Sequence, residues 1–324
     1  MRLKLVPDHT EWKFFKYWRA TFGLSLIAIV LSIVAFFTMG LNFGIDFRGG
    51  TTIRTESVQP VDIGAYRGAI AELGLGDVTI TEVFDPTYGP DRNVAMVRIQ
   101  AQDGQESVSP QMILAVEQAL QAVDPSITFP SVESVGPKVS GELVRTAILA
   151  VVLANAAVLF YIWLRFEWQF AVGAVAALVH DVILTIGIFS VLQIRFDLAI
   201  IAALLTIVGY SLNDTVIIFD RVRENLIKFK KRPLQELLDL SINDTMSRTV
   251  MTSGTTLMAL IALYVLGGDV IRGFVFAMIW GVIVGTYSTI FVASVVLLRL
   301  GVKRDWSKGE GEKTGGGTQF KTEP

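Results

Sequence analysis

Six stretches of roughly twenty apolar residues, at 21–40, 144–164, 169–191, 198–219, 251–268 and 273–298, constrain this chain more than anything else in it. A run of that length crosses a hydrocarbon core of about 30 Å as an α-helix, which satisfies its own backbone hydrogen bonds where no water can. The whole chain is 52% hydrophobic and only 18% charged over 324 residues. A polytopic α-helical membrane protein with six transmembrane helices is therefore expected.

Charge sets the orientation. Arg2, Lys4, Lys13, Lys16 and Arg19 precede the first run; Arg221, Arg223, Lys228, Lys230, Lys231 and Arg232 follow the fourth; Lys303, Arg304 and Lys308 follow the last. Positive-inside bias places all three segments in the cytoplasm. The expected layout is a cytoplasmic segment 1–20, a cytoplasmic loop 220–250 and a flexible cytoplasmic tail 299–324, glycine-rich from Asp305. Trp12, Trp18, Trp163, Trp168 and Trp306 stand where interfacial anchors belong. The first run is long for a signal-peptide core and ends Phe36-Phe37-Thr38-Met39-Gly40 without a small-x-small pattern, so it reads as a retained span.

Residues 41–141 form a soluble insert on the opposite side. Strand patterns at 51–58, 78–84, 94–99 and 127–132 alternate with helical ones at 61–73 and after Ser109-Pro110, and a turn runs through Pro86, Gly89 and Pro90. The order β-α-β-β-α-β is that of a small α+β ferredoxin-like domain. That fold hosts many functions and argues for none. At its base, Asp46, Arg48, Gly49 and Gly50 suit a hinge or domain junction, with a fixed turn as the alternative.

The fourth run carries Gly209-Tyr210-Ser211-Leu212-Asn213-Asp214-Thr215. An acid at the centre of a membrane helix costs about 2.5–3.5 kcal/mol on insertion scales, and such residues mark ion pathways. Asp214 is thus the candidate proton carrier, while Tyr210, Ser211 and Asn213 read as hydrogen-bonding glue between helices. Arg248, in Ser247-Arg248-Thr249 at the entrance of the fifth span, is the candidate counter-charge, with Thr252 and Thr255 continuing its face. Pairing with Asp244 one turn back is the structural alternative. His180-Asp181 in the third span is a second buried ionisable pair; neighbours do not share a helix face, so one is expected toward the relay and the other toward an adjacent helix. Gly281 and Gly285 allow close helix approach. With two histidines and no cysteine, no metal centre, disulfide or cofactor is expected, and the net charge of −2 gives no sign of nucleic-acid binding.

These pieces resemble one family. Leu41-Asn42-Phe43-Gly44-Ile45-Asp46-Phe47-Arg48-Gly49-Gly50, Val135-Gly136-Pro137-Lys138-Val139-Ser140-Gly141-Glu142-Leu143, Arg165-Phe166-Glu167-Trp168, His180-Asp181, the 209–215 cluster, Ser247-Arg248-Thr249 and Gly285-Thr286-Tyr287-Ser288 are similar to the SecF subunits of bacterial SecDF export complexes. The resemblance implies an RND-superfamily, non-enzymatic inner-membrane subunit. It would pair with SecD, serve SecYEG, with YajC and a YidC-type insertase as further partners, and use the proton motive force to assist late preprotein movement. It also implies a proton pathway through Asp214 and Arg248. The periplasmic 41–141 domain, with no enzyme-like constellation, suits a contact surface for an unfolded chain, with a spacer as the alternative. A small-molecule RND exporter subunit, a purely structural partner of SecD and an intramembrane aspartyl protease are the competing readings; the last needs two acids to meet.

Overall fold

The computed structural model describes residues 10–76, 78–83, 92–100 and 108–302. The expected turn at Pro86, Gly89 and Pro90, the tail from Asp305 and the basic residues at 2, 4, 303, 304 and 308 lie outside them.

After a 3₁₀ turn, α1 (Trp18–Met39) makes the first span. β1 (Asn42–Phe43) and α2 (Ile45–Arg48) lead into the soluble domain. That domain runs β2 (Gly50–Ser57), α3 (Ile63–Ala71), β3 (Val78–Val83), β4 (Asn93–Gln100), α4 (Pro110–Val123) and β5 (Thr128–Val135). Its four strands pair antiparallel in the order β3-β4-β2-β5, the split βαβ arrangement. The helix starts follow from side-chain caps: Asp62 accepts from the Ala65 N–H at 2.9 Å and Ser109 from that of Met112 at 3.2 Å. Ile53, Ile80, Val97 and Ile99 from the sheet meet Tyr66, Ile70, Val116 and Leu120 from the two helices, forming the core on one sheet face.

The remaining helices are α5 (Pro137–Arg165), α6 (Trp168–Leu192), α7 (Leu198–Lys228), α8 (Leu234–Leu266) and α9 (Gly268–Ser288). A π-helical segment, Thr289–Ala293, continues α9 into α10 (Ser294–Leu300). Among the described residues, six helical stretches are long and apolar enough to cross a membrane. Between α6 and α7, β6 (Arg195–Phe196) pairs parallel with β1, fastening the exit of the first span to the entry of the fourth.

The 220–250 segment departs from the expected loop. α7 continues to Lys228 and α8 begins at Leu234, so only 229–233 lies between them. At about 1.5 Å per residue, helices of 31 and 33 residues outreach a bilayer core. Val222, Leu226, Leu237, Leu238 and Ile242 bury one side of the projecting turns and so hold the charged sequence helical, while Arg221 pairs with Glu224 at 2.8 Å and with Asp244 at 2.9 Å, and Arg232 with Glu236 at 3.3 Å, on the outer side.

α7 is the centre of the bundle, packed on α5, α6, α8 and α9. Gly281 is why α9 comes so close: a Cβ built there meets Ile207 at 2.3 Å. One turn on, a Cβ at Gly285 stands 3.1 Å from Ser211. α1, α5 and α8 bury little within this chain.

Candidate functional site among the membrane helices

Asp214 is 3% exposed, and its Oδ2 is buried without a hydrogen-bond partner among the described residues. An acid oxygen buried in that way has no donor among the described residues to hold a charge on it. The charge whose field reaches it is Arg248 of α8, and the two form no direct ion pair. Arg248 is exposed on the outer face of α8. Its expected alternative partner, Asp244, is instead held by Arg221 at 2.9 Å and by Asn225 at 3.4 Å. Thr252 and Thr255 donate to the carbonyls of Arg248 and Met251 at 2.9 and 2.8 Å, four residues back on their own helix.

The glue residues divide. Tyr210 donates to Thr256 of α8 at 3.4 Å, and Ser211 to Asp181 of α6 at 2.7 Å. Asn213 is exposed on the same outer side as Arg248.

His180 and Asp181 both turn inward and meet, contrary to the expectation that they would part. His180 Nδ1 lies 3.0 Å from Asp181 Oδ1, and both residues are buried. Neighbours on a helix stand about 100° apart, and both side chains here find protein on either side, so the near ring nitrogen folds back to the carboxylate. Asp181 Oδ2 also accepts from Ser211 at 2.7 Å and Ser288 at 2.9 Å, tying α6 to α7 and α9. The imidazole lies 6.2 Å from the ring of Tyr287, whose hydroxyl donates to the Thr21 carbonyl of α1 at 2.8 Å. His180 Nε2 is buried without a partner among the described residues.

Two features escaped the sequence reading. Thr215 shares a 2.9 Å hydrogen bond with Thr289, the first residue of the π-helical segment, where Ser294 donates five residues back to the Thr289 carbonyl at 3.0 Å. Widened turns of this kind recur at functional sites. The second lies at the junction: Asp46 Oδ2 accepts the Leu198 N–H at 3.1 Å, so the soluble domain's base caps the helix that carries Asp214. Asp197 caps the same end through Ile200 at 3.3 Å. Asp46 and Leu198 are 152 positions apart, and the apolar pattern carries no signal that joins them. Gly49 and Gly50, with φ of 75° and 136°, make the sharp entry from α2 into β2 that only glycine adopts readily.

Residues 115–303 match a family model described as protein export membrane protein SecD/SecF, C-terminal, and residues 34–61 match the SecD/SecF GG motif. The chain is 60% identical over 319 residues to a protein translocase subunit SecF of Cereibacter sphaeroides, covering 98% of each. It is 56% identical to that of Rhodobacter capsulatus, covering 95% of this chain and 94% of the other. Among solved structures it resembles SecDF of Thermus thermophilus, a translocon-associated membrane protein, with a TM-score of 0.81 and 35% identity over 93% of this chain. It spans 40% of that longer chain. A SecDF structure in the super-membrane-facing form gives a TM-score of 0.68 at 36% identity, over 92% of this chain and 39% of the other.

Proposed function

The chain belongs to the SecF family of protein translocase subunits, and we propose that it couples proton entry at Asp214 to movement of its periplasmic domain during protein export. Its partner is SecD, whose family shares the matched C-terminal region. In this reading the complex sits in the inner membrane with both termini in the cytoplasm, serves SecYEG together with YajC and a YidC-type insertase, and draws on the proton motive force late in translocation. The observation that carries it is the buried Asp214 carboxyl, unbonded at Oδ2 and within the field of Arg248.

Protonation removes the charge on Asp214, and with it the attraction between α7 and Arg248 on α8. The balance between two packings of α7 then shifts by the differential interaction of the charged and neutral forms. Movement of α7 reaches the soluble domain through its capped end, where Asp46 holds the Leu198 N–H. Asp181, which holds His180, Ser211 of α7 and Ser288 of α9, acts in this scheme as the anchor on α6 that a shift of α7 must work against.

The decisive measurement is proton-gradient-dependent export into vesicles holding the complex with Asp214→Asn. Stimulation by the gradient should vanish while SecD still co-purifies. Undiminished stimulation would sink the reading and leave a purely structural subunit.

A further inference from the structure

A cavity of about 170 Å³ opens where the soluble domain rests on the membrane spans. Its walls carry the guanidinium-bearing Arg48, Arg98 and Arg195 and the hydroxyls of Thr79 and Thr81. No acid lines it among the described residues.

The fold brings these groups together from distant segments. Thr79 and Arg98 are register partners on β3 and β4, on the sheet face opposite the core of Ile80 and Val97. Arg48 ends α2, and Arg195 opens β6 at the exit of the third span. Gly44 makes room for Arg195: a Cβ there stands 3.0 Å from its Nε. The Nε atoms of Arg98 and Arg195 are both buried and make no hydrogen bond among the described residues. Asp197 approaches Arg195 Nε only at 3.8 Å, and the Asp46 carboxylate is engaged with Leu198. Burial, and then the neighbouring Arg195, push the Arg98 guanidinium down to about 10, with Asp197 offsetting only part of this, so the two cations repel each other across the cavity.

We infer that this cavity binds a phosphate group, carried by an anionic lipid headgroup. Paired guanidinium forks match phosphate oxygens in geometry and charge. Position identifies the carrier: Phe43, Phe47 and Phe196 cluster at 5.6–6.0 Å between ring centres at the end of the first and third spans, and Phe43 is 38% exposed. A lipid with its phosphate in the cavity lays its chains along those rings. The site is independent of proton use by Asp214.

Native mass spectrometry of the full chain in detergent tests this by titration with phosphatidylglycerol, phosphatidylcholine and inorganic phosphate. Phosphatidylglycerol should be retained over phosphatidylcholine by about tenfold, the worth of one charge-assisted hydrogen bond. Arg98→Gln with Arg195→Gln should erase that preference, and Arg98→Lys with Arg195→Lys, which keeps the charge, should retain part of it. Inorganic phosphate bound and lost with the same glutamine pair also supports a phosphate site, and makes a soluble anion its source. A preference that survives the glutamine pair, or one removed instead by Lys230→Gln with Lys231→Gln on the basic 228–232 turn, overturns the inference.

Discussion

At the scale of single residues, three acids show how surroundings divide one chemical group among different tasks. Asp181 is surrounded by donors, with Ser211, Ser288 and His180 all in contact. Asp181→Ala strands those groups at about 1–3 kcal/mol each, so the thermal midpoint in detergent should fall well below that of Ser211→Ala. Asp214 has no such shell. Asp214→Asn should leave the midpoint nearly unchanged while export fails, which separates a working acid from a structural one. In the soluble domain, the Ser57 hydroxyl holds the Asp124 carboxyl below its usual range, Ser126 adds to this and burial opposes it. Because the folded group titrates lower than the unfolded one, near 3.9, its stabilisation is complete above that value and is lost as the pH falls further. Unfolding followed between about pH 5 and 2 should show this loss, and Asp124→Asn should remove it. The sequence marked Asp214 through its apolar surroundings. It could not mark Asp181 as satisfied, because its hydroxyl partners come from two other helices.

At the scale of elements, the spans and the β-α-β-β-α-β order were legible because each rests on local periodicity and local caps. What stayed hidden depends on contacts between remote segments, such as the β1-β6 ladder, or on weak signals competing, as in the helical extension of 220–250. Glycine placement illustrates the difference. Gly209 has open space around its missing Cβ, whereas a Cβ at Gly281 collides with Ile207. Gly281→Ala should therefore destabilise by about 1–3 kcal/mol through overpacking. Gly209→Ala should be neutral or stabilising by up to about 1 kcal/mol through helix propensity alone. Thermal unfolding of the two variants side by side distinguishes them, though the sequence shows two alike glycines. Asp46→Ala should weaken the start of α7 by about 1 kcal/mol, visible as faster amide exchange at Leu198.

At the scale of the whole molecule, the exposed surfaces in the membrane are of two kinds. α1 and α5 present apolar side chains such as Leu31, Phe37, Val152 and Leu153, which lipid accepts. The α7-α8 side presents Asn213, Arg248 and Thr255, which lipid does not. SecD should cover that side. In this chain without cysteine, Met258→Cys should crosslink to a cysteine on SecD and Val152→Cys should not. The contact of α7 with α9 limits what any movement of the bundle can be. With Ile207 and Ser211 pressed against glycine backbone, α7 has no room to come closer to α9, so the movement proposed above would run along α9 and not toward it. In that scheme the helix is a push-rod: Leu198 and Asp214 stand sixteen positions apart, about 24 Å along the axis, and a displacement at Asp214 would be felt at the hydrogen bond that Asp46 makes.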